Sequence, residues 1–262
     1  MKTIRTRQER FRPSWRSRAW TGAWVAAVVG IVVLFVGNAA ASPAAPTAKS
    51  FTEKPPYAGV ENSDVLGLLS GSGGPLCGVA EKFPVSPFFN LTTGHGNLSV
   101  AATARSCGPG TSFASPEEDA GFNTANFTTT TGLHDIKATW NLDFTVKLKA
   151  APGNSSQSAT AYVIILLQLY LLDVTNGTVF SQNNSPFFLY EITTGTYDHT
   201  FPKLTQIVYL NASLVKGHEY SLGAYVYLNA YASVSPGSSS ASAVGNMGAG
   251  GRSAFLPSLT GL

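Results

Sequence analysis

Between Ala138 and Ala150 the chain alternates strictly. Ala138, Trp140, Leu142, Phe144, Val146, Leu148 and Ala150 fall on even positions, and Thr139, Asn141, Asp143, Thr145, Lys147 and Lys149 on odd ones. Successive side chains of a strand point to opposite faces, so a period of two describes a strand with one buried and one wet face. A helix would scatter the same apolar residues around its axis. The charged odd face also argues against a membrane β-barrel, whose outward face must be apolar.

The next segment, Tyr162 to Val174, reads YVIILLQLYLLDV and is apolar on both parities, with Gln168 in its interior. Periodicity alone does not separate a fully buried strand from a buried helix here. Its flanks do: Pro152-Gly153-Asn154 precede it and Asn176-Gly177 follow it, and Asn-Gly is the strongest short hairpin signal. It is too short and interrupted for a membrane span. We read it as a central strand covered on both faces.

Further strands are expected over 88–91, 97–105, 122–130, 178–182, 187–193, 205–211 and 219–233, with a turn at 214–218. A last strand is expected in 241–246 or 253–256. Along 219–233, Tyr225, Tyr227 and Tyr231 share one face with Asn229, while Val226, Leu228, Ala230 and Ala232 share the other. Eight to ten short strands without amphipathic helices between them predict an all-β fold. It is an antiparallel β-sandwich of immunoglobulin-like or jelly-roll type over 75–262, preceded by an N-terminal hydrophobic helix. Residues 42–74, rich in Pro, Ala and Gly, read as a linker, with Val65–Leu69 in it as one helical turn or a strand.

Residues 1–41 set the compartment. Seven Lys and Arg residues form a basic head, an apolar run occupies 19–37, and Ala39, Ala40 and Ala41 precede Ser42-Pro43. That order is an export signal with a cleavage site after Ala41, or an uncleaved N-terminal membrane anchor. Both readings place the C-terminal part outside the cytoplasm, secreted or held at the membrane through this helix.

The formal net charge of +3 belongs to the leader. It holds seven of the 17 Lys and Arg but one of the 14 acids, leaving −3 on the remainder. Lys137, Lys147 and Lys149 are too few for a basic patch, so no nucleic-acid partner is expected. Two cysteines in an oxidising compartment most simply pair, and a Cys77–Cys107 bridge would close a loop worth roughly 3–4 kcal/mol. These cysteines precede the strongest strands, and Trp140 follows both, unlike the immunoglobulin arrangement. Asn-x-Ser/Thr acceptor sites occur at Asn90, Asn97, Asn126, Asn154, Asn176, Asn183 and Asn211, marking a glycoprotein if the host owns the machinery.

No catalytic motif appears. His95, His134, His199 and His218 sit in no HExxH or HxH pattern, and GxSxG is absent. Glu117, Glu118 and Asp119 form an acidic cluster that reads as a solvated loop after Ser115-Pro116, without a calcium-loop pattern. No cofactor or metal is nominated. Tyr225, Tyr227 and Tyr231 are candidates for a sugar-stacking platform or for core and rim packing. An uncovered face on the two-sided strand at 162–174 would promote self-association. The expected role is therefore binding, adhesion or envelope structure, with a glycan or protein ligand. The alternative is a secreted hydrolase or carbohydrate-active enzyme on the same scaffold.

Overall fold

The computed structural model describes residues 47–48, 51–72, 80–106, 110–129, 132–237, 239–248 and 252–261. The leader with its expected helix, and both Cys77 and Cys107, lie outside the described residues. Among those described, no helix is long and apolar enough to cross a membrane.

The regular structure of the described residues is all strand: β1 (Thr47–Ala48), β2 (Phe51–Glu53), β3 (Gly59–Ser72), β4 (Ala80–Asn90), β5 (His95–Arg105), β6 (Ser112–Thr124), β7 (Phe127–Thr129), β8 (Gly132–Ala151), β9 (Ala159–Asp173), β10 (Thr178–Ile192), β11 (Gly195–Leu214), β12 (Glu219–Val234), β13 (Ser240–Asn246) and β14 (Ala254–Gly261). They form two seven-stranded sheets. Across the first run β10, β9, β12, β6 and β3; β7 extends the line of β6 along β12, and β1 lies parallel beside it. Across the second run β11, β8, the in-line pair β13 and β14, then β5 and β4, with β2 on β14. All pairings other than β1–β7 are antiparallel, and the fold is the all-β sandwich that the alternation predicts.

The core is the pair of inner faces. On β8 the even residues Ile136 to Ala150 are buried, as their alternation requires, while Lys147 and Lys149 are exposed. On β9 the odd residues Ala159 to Leu171 are buried and the even ones half-buried. β9 is hydrogen-bonded on both sides, but the strand covered on both faces is β12, which is buried at every residue from Tyr220 to Ala230. Trp140, wholly buried, packs edge-on against Phe89 at 6.4 Å, and Phe89 stacks on Phe122 at 5.3 Å. These contacts tie β8, β4 and β6 together across the two layers.

Several elements differ from the sequence reading. Residues 59–72, within the stretch read as linker, form β3 along β6. Ser112–Thr124, read around its acids as a loop, is β6, an interior strand of the first sheet. Strand propensity is a statement about fit to neighbours, and here the neighbours on both sides override Pro, Gly and three acids. The segments 178–182 and 187–193 are one strand, β10, that shifts register at Pro186. Proline cannot donate to a ladder, so it is tolerated at bulges and edges. Pro84 and Pro87 on edge strand β4 and Pro202 on edge strand β11 also sit in register shifts. Such shifts blunt the exposed edges against pairing with other chains.

Candidate functional site

The outward face of the first sheet is where polar and aromatic residues gather. Alternation along β12 sends Leu222, Ala224, Val226, Leu228 and Ala230 into the core and Gly223, Tyr225, Tyr227, Asn229 and Tyr231 to the other side. Register then fixes their neighbours. Gly223 lies between Asn123 and Tyr170, Tyr225 between Gly121 and Gln168, Tyr227 between Asp119 and Leu166, and Asn229 between Glu117 and Ile164. Tyr231 lies opposite Tyr162.

Two glycines let rings lie down on the sheet. A Cβ at Gly121 would come within 2.7 Å of the Tyr225 ring, and one at Gly223 would overlap the Tyr170 ring. Tyr170 stacks on Tyr225 at 5.7 Å and donates its hydroxyl to Asn123 Oδ1 at 2.7 Å. Asn62 Nδ2 donates to the Tyr225 hydroxyl at 2.9 Å. Tyr162 stacks on Tyr231 at 4.5 Å, and Phe113 flanks Tyr231 at 6.3 Å.

Beside the rings sit carboxyls. Asn229 Nδ2 donates to Ser115 Oγ at 2.9 Å, to the Pro116 carbonyl at 3.2 Å and to Glu117 Oε1 at 3.3 Å. Asp119 Oδ1 accepts the Asp64 N–H at 3.0 Å. The Tyr227 hydroxyl is buried beside the Glu117 carboxyl, with no hydrogen bond of good geometry among the described residues. Burial pushes Glu117 above the ordinary carboxyl range, against the Tyr227 hydroxyl. Burial also pushes Asp119 up to about 7; the Asp64 N–H opposes this and the Asp64 charge adds to it. Near neutral pH Asp119 is therefore able to donate as well as accept on this face. Strongly shifted carboxyls mark functional sites more often than chance.

The three tyrosines singled out from sequence are thus on one face, together. Tyr225 and Tyr227 are only 5% exposed and Tyr231 is half-buried. Sequence reasoning missed Tyr162, Tyr170, Asn62 and Asn123. Tyr162 and Tyr170 were legible as even positions on β9, but their pairing with β12 was not.

The histidines assemble no triad among the described residues. His218 Nδ1 meets Asp173 Oδ2 at 2.8 Å, and Asp173 also accepts the N–H and Nδ2 of Asn176. Burial works against ionisation of Asp173, but these bonds outweigh it and its pKa is lowered. The pair ties the β9–β10 turn to the β11–β12 turn. His95 Nδ1 meets Ser253 Oγ at 2.6 Å and its ring stacks on Phe255, with no carboxylate on the imidazole. His199 is exposed against Phe201, and His134 is half-buried. No group of three or more His, Cys, Asp or Glu among the described residues is placed to hold a metal ion.

Of the acceptor asparagines, Asn154, Asn176 and Asn211 are exposed, and Asn90, Asn97, Asn126 and Asn183 are half-buried. Asn126 Nδ2 donates to Glu219, Asn176 Nδ2 to Asp173, and Asn183 Nδ2 to the Tyr209 carbonyl.

No family model matches the chain, and no curated protein matches it. Among solved structures, the isomalto-dextranase of Arthrobacter globiformis T6 complexed with panose is similar over 70% of this chain, at 8% identity and a TM-score of 0.19. This chain spans 34% of that enzyme's length. A likeness at that TM-score carries no argument about fold or activity.

Proposed function

We propose that this chain is an exported or membrane-anchored extracytoplasmic β-sandwich that works by binding, in adhesion or envelope structure. The ligand we assign is a neutral, hydroxyl-rich one, a glycan, held on the outward face of the first sheet. One observation supports this above the rest: that face is built of stacked tyrosines, amides and shifted carboxyls, where a merely solvated face would carry exposed charges. Tyr162, Tyr170 and Tyr231 are its half-buried rings, and Tyr225 and Tyr227 are buried on the same face. Aromatic rings offer apolar area to a sugar, and amides and carboxyls meet its hydroxyls. The leader supplies export or anchoring, and the cysteine pair and acceptor asparagines suit that compartment.

A glycan array probed with the full-length chain in detergent tests this. We expect binding to a restricted set of glycans, reduced at least tenfold by Tyr162→Ala or Tyr231→Ala with the β-sheet circular dichroism retained. Binding to no glycan, or binding that both variants keep, refutes the assignment. In that case a protein ligand or self-association is what remains for this face.

A carbohydrate-active enzyme is the second reading, favoured by Glu117 and Asp119 alone. Two residues apart on β6, they project from one strand face, as the two carboxyls of a glycoside-hydrolysing pair must. Release of reducing ends from bound glycans, lost in Glu117→Gln and Asp119→Asn, would favour this reading over binding alone.

A further inference from the structure

Glu118 stands apart from its two acidic neighbours because it points the other way. Register sets it opposite Leu228 on β12 and Val65 on β3, on the side of β6 that faces the second sheet. It is wholly buried. Its Oε2 accepts the Ser99 N–H of β5 at 2.7 Å, near the place where β4 shifts register around Val85. Its Oε1 has no partner.

Among the described residues no countercharge meets it. Leu228 of β12 is its register partner, and Leu98 and Val100 flank Ser99 on β5; all three are wholly buried and apolar. The titratable groups on the packed strands are mostly acids. β3 brings Asp64 and Glu61. β4 brings Glu81, whose Oε1 accepts the Ser115 N–H at 3.2 Å, and β6 itself brings Glu117 and Asp119. The only Lys and Arg residues on β3, β4, β5, β6, β12 and β13 are Lys82 and Arg105, both exposed. His95 on β5 is engaged with Ser253.

We propose that Glu118 enters the core as a neutral carboxylic acid and acts as a pH latch: the sandwich is tight in acid and loosens when this carboxyl ionises between the sheets. A buried neutral acid with one unfilled bond is tolerable, whereas an ionised one with a single N–H donor and no cation is far more costly. The direction of its titration agrees. Burial pushes Glu118 up to about 7; the Ser99 N–H opposes and the Asp119 charge adds. A folded-state value above the unfolded one means stability that is full below about pH 4 and lost as pH rises through about 7. Asp119, raised to the same level on the opposite face of β6, adds to the same slope. The proposal stands independently of the glycan assignment.

The test is thermal unfolding of the full-length chain in detergent, followed by circular dichroism between pH 5 and 8, above the range where Asp173 titrates. We expect Tm to fall by about 10 °C across that range. Glu118→Gln, which keeps the shape and stays neutral, should recover up to about half of the fall, since Asp119 and Glu117, both also raised by burial, remain. A flat profile, a Tm that rises toward pH 8, or a Glu118→Gln fall equal to that of the native chain overturns the proposal. Should Glu118→Gln fail to fold, carboxyl carbon NMR of the Glu-labelled native and Glu117→Gln chains decides. A glutamate titrating near 7 in both supports the latch, and all glutamates titrating in the ordinary range overturns it.

Discussion

Replacing Gly223 with alanine tests how the tyrosine face is built. An ideal Cβ at 223 would overlap Cζ and Cε1 of Tyr170 and stand 2.7 Å from its hydroxyl oxygen. The ring must lift off the sheet. It then loses its hydrogen bond to Asn123, about 0.5–1.5 kcal/mol, and its stack on Tyr225, about 0.5–1.5 kcal/mol. Against that, alanine in a strand interior is favoured over glycine by about 0.5–1 kcal/mol. The net expectation is a destabilisation of about 0.5–2 kcal/mol, or a Tm lower by about 1–8 °C. The control is Tyr170→Ala, which removes the ring that supplies the three atoms nearest to that Cβ. In that background Gly223→Ala should be neutral or stabilising, giving a coupling energy of about 1–3 kcal/mol in the double-mutant cycle. Urea unfolding followed by circular dichroism measures all four proteins. An equal cost in both backgrounds, or stabilisation in the native background, would mean the ring does not lie on Gly223.

Trp140→Ala should cost about 3–5 kcal/mol in urea unfolding, as a wholly buried indole leaves a large cavity. Trp140→Phe should cost clearly less, because it also removes an indole N–H that has no partner. Asp173→Asn should destabilise by about 1–3 kcal/mol at pH 7. The Asp173 carboxyl titrates below its ordinary range, so its contribution is present above about pH 4 and lost on further acidification; the variant should lack that acid limb. Expressed in a glycosylating host, the chain should carry glycans at exposed Asn154 and Asn211 before Asn126, Asn176 and Asn183, whose amide nitrogens are engaged. Peptide mass spectrometry reads the order, and preferential occupancy of Asn183 would contradict it.

Much of the scaffold was legible from pattern alone. The alternation from Ala138 to Ala150 states both the strand and which face is wet, because side-chain direction in a strand is a local property. The Asn176-Gly177 turn and the 214–218 turn were equally local, resting on residues that tolerate positive φ; Gly177 and Gly217 adopt it, at 64° and 94°. The compartment signals in residues 1–41, the cysteine pair and the acceptor asparagines are likewise legible in the sequence.

Partnership was not local. Glu117, Glu118 and Asp119 read as a solvated loop because three adjacent acids disfavour a strand on their own. Only the register of β6 between β12 and β3 turns Glu118 into the core and its neighbours toward the tyrosines. The same holds for Tyr162 and Tyr170. Their parity could be read from the chain, but the strand beside them could not. Period and turn chemistry act over a few residues and are written in order along the chain; the meeting of β3, β6, β9 and β12 depends on contacts between distant segments, which close only when the two sheets pack.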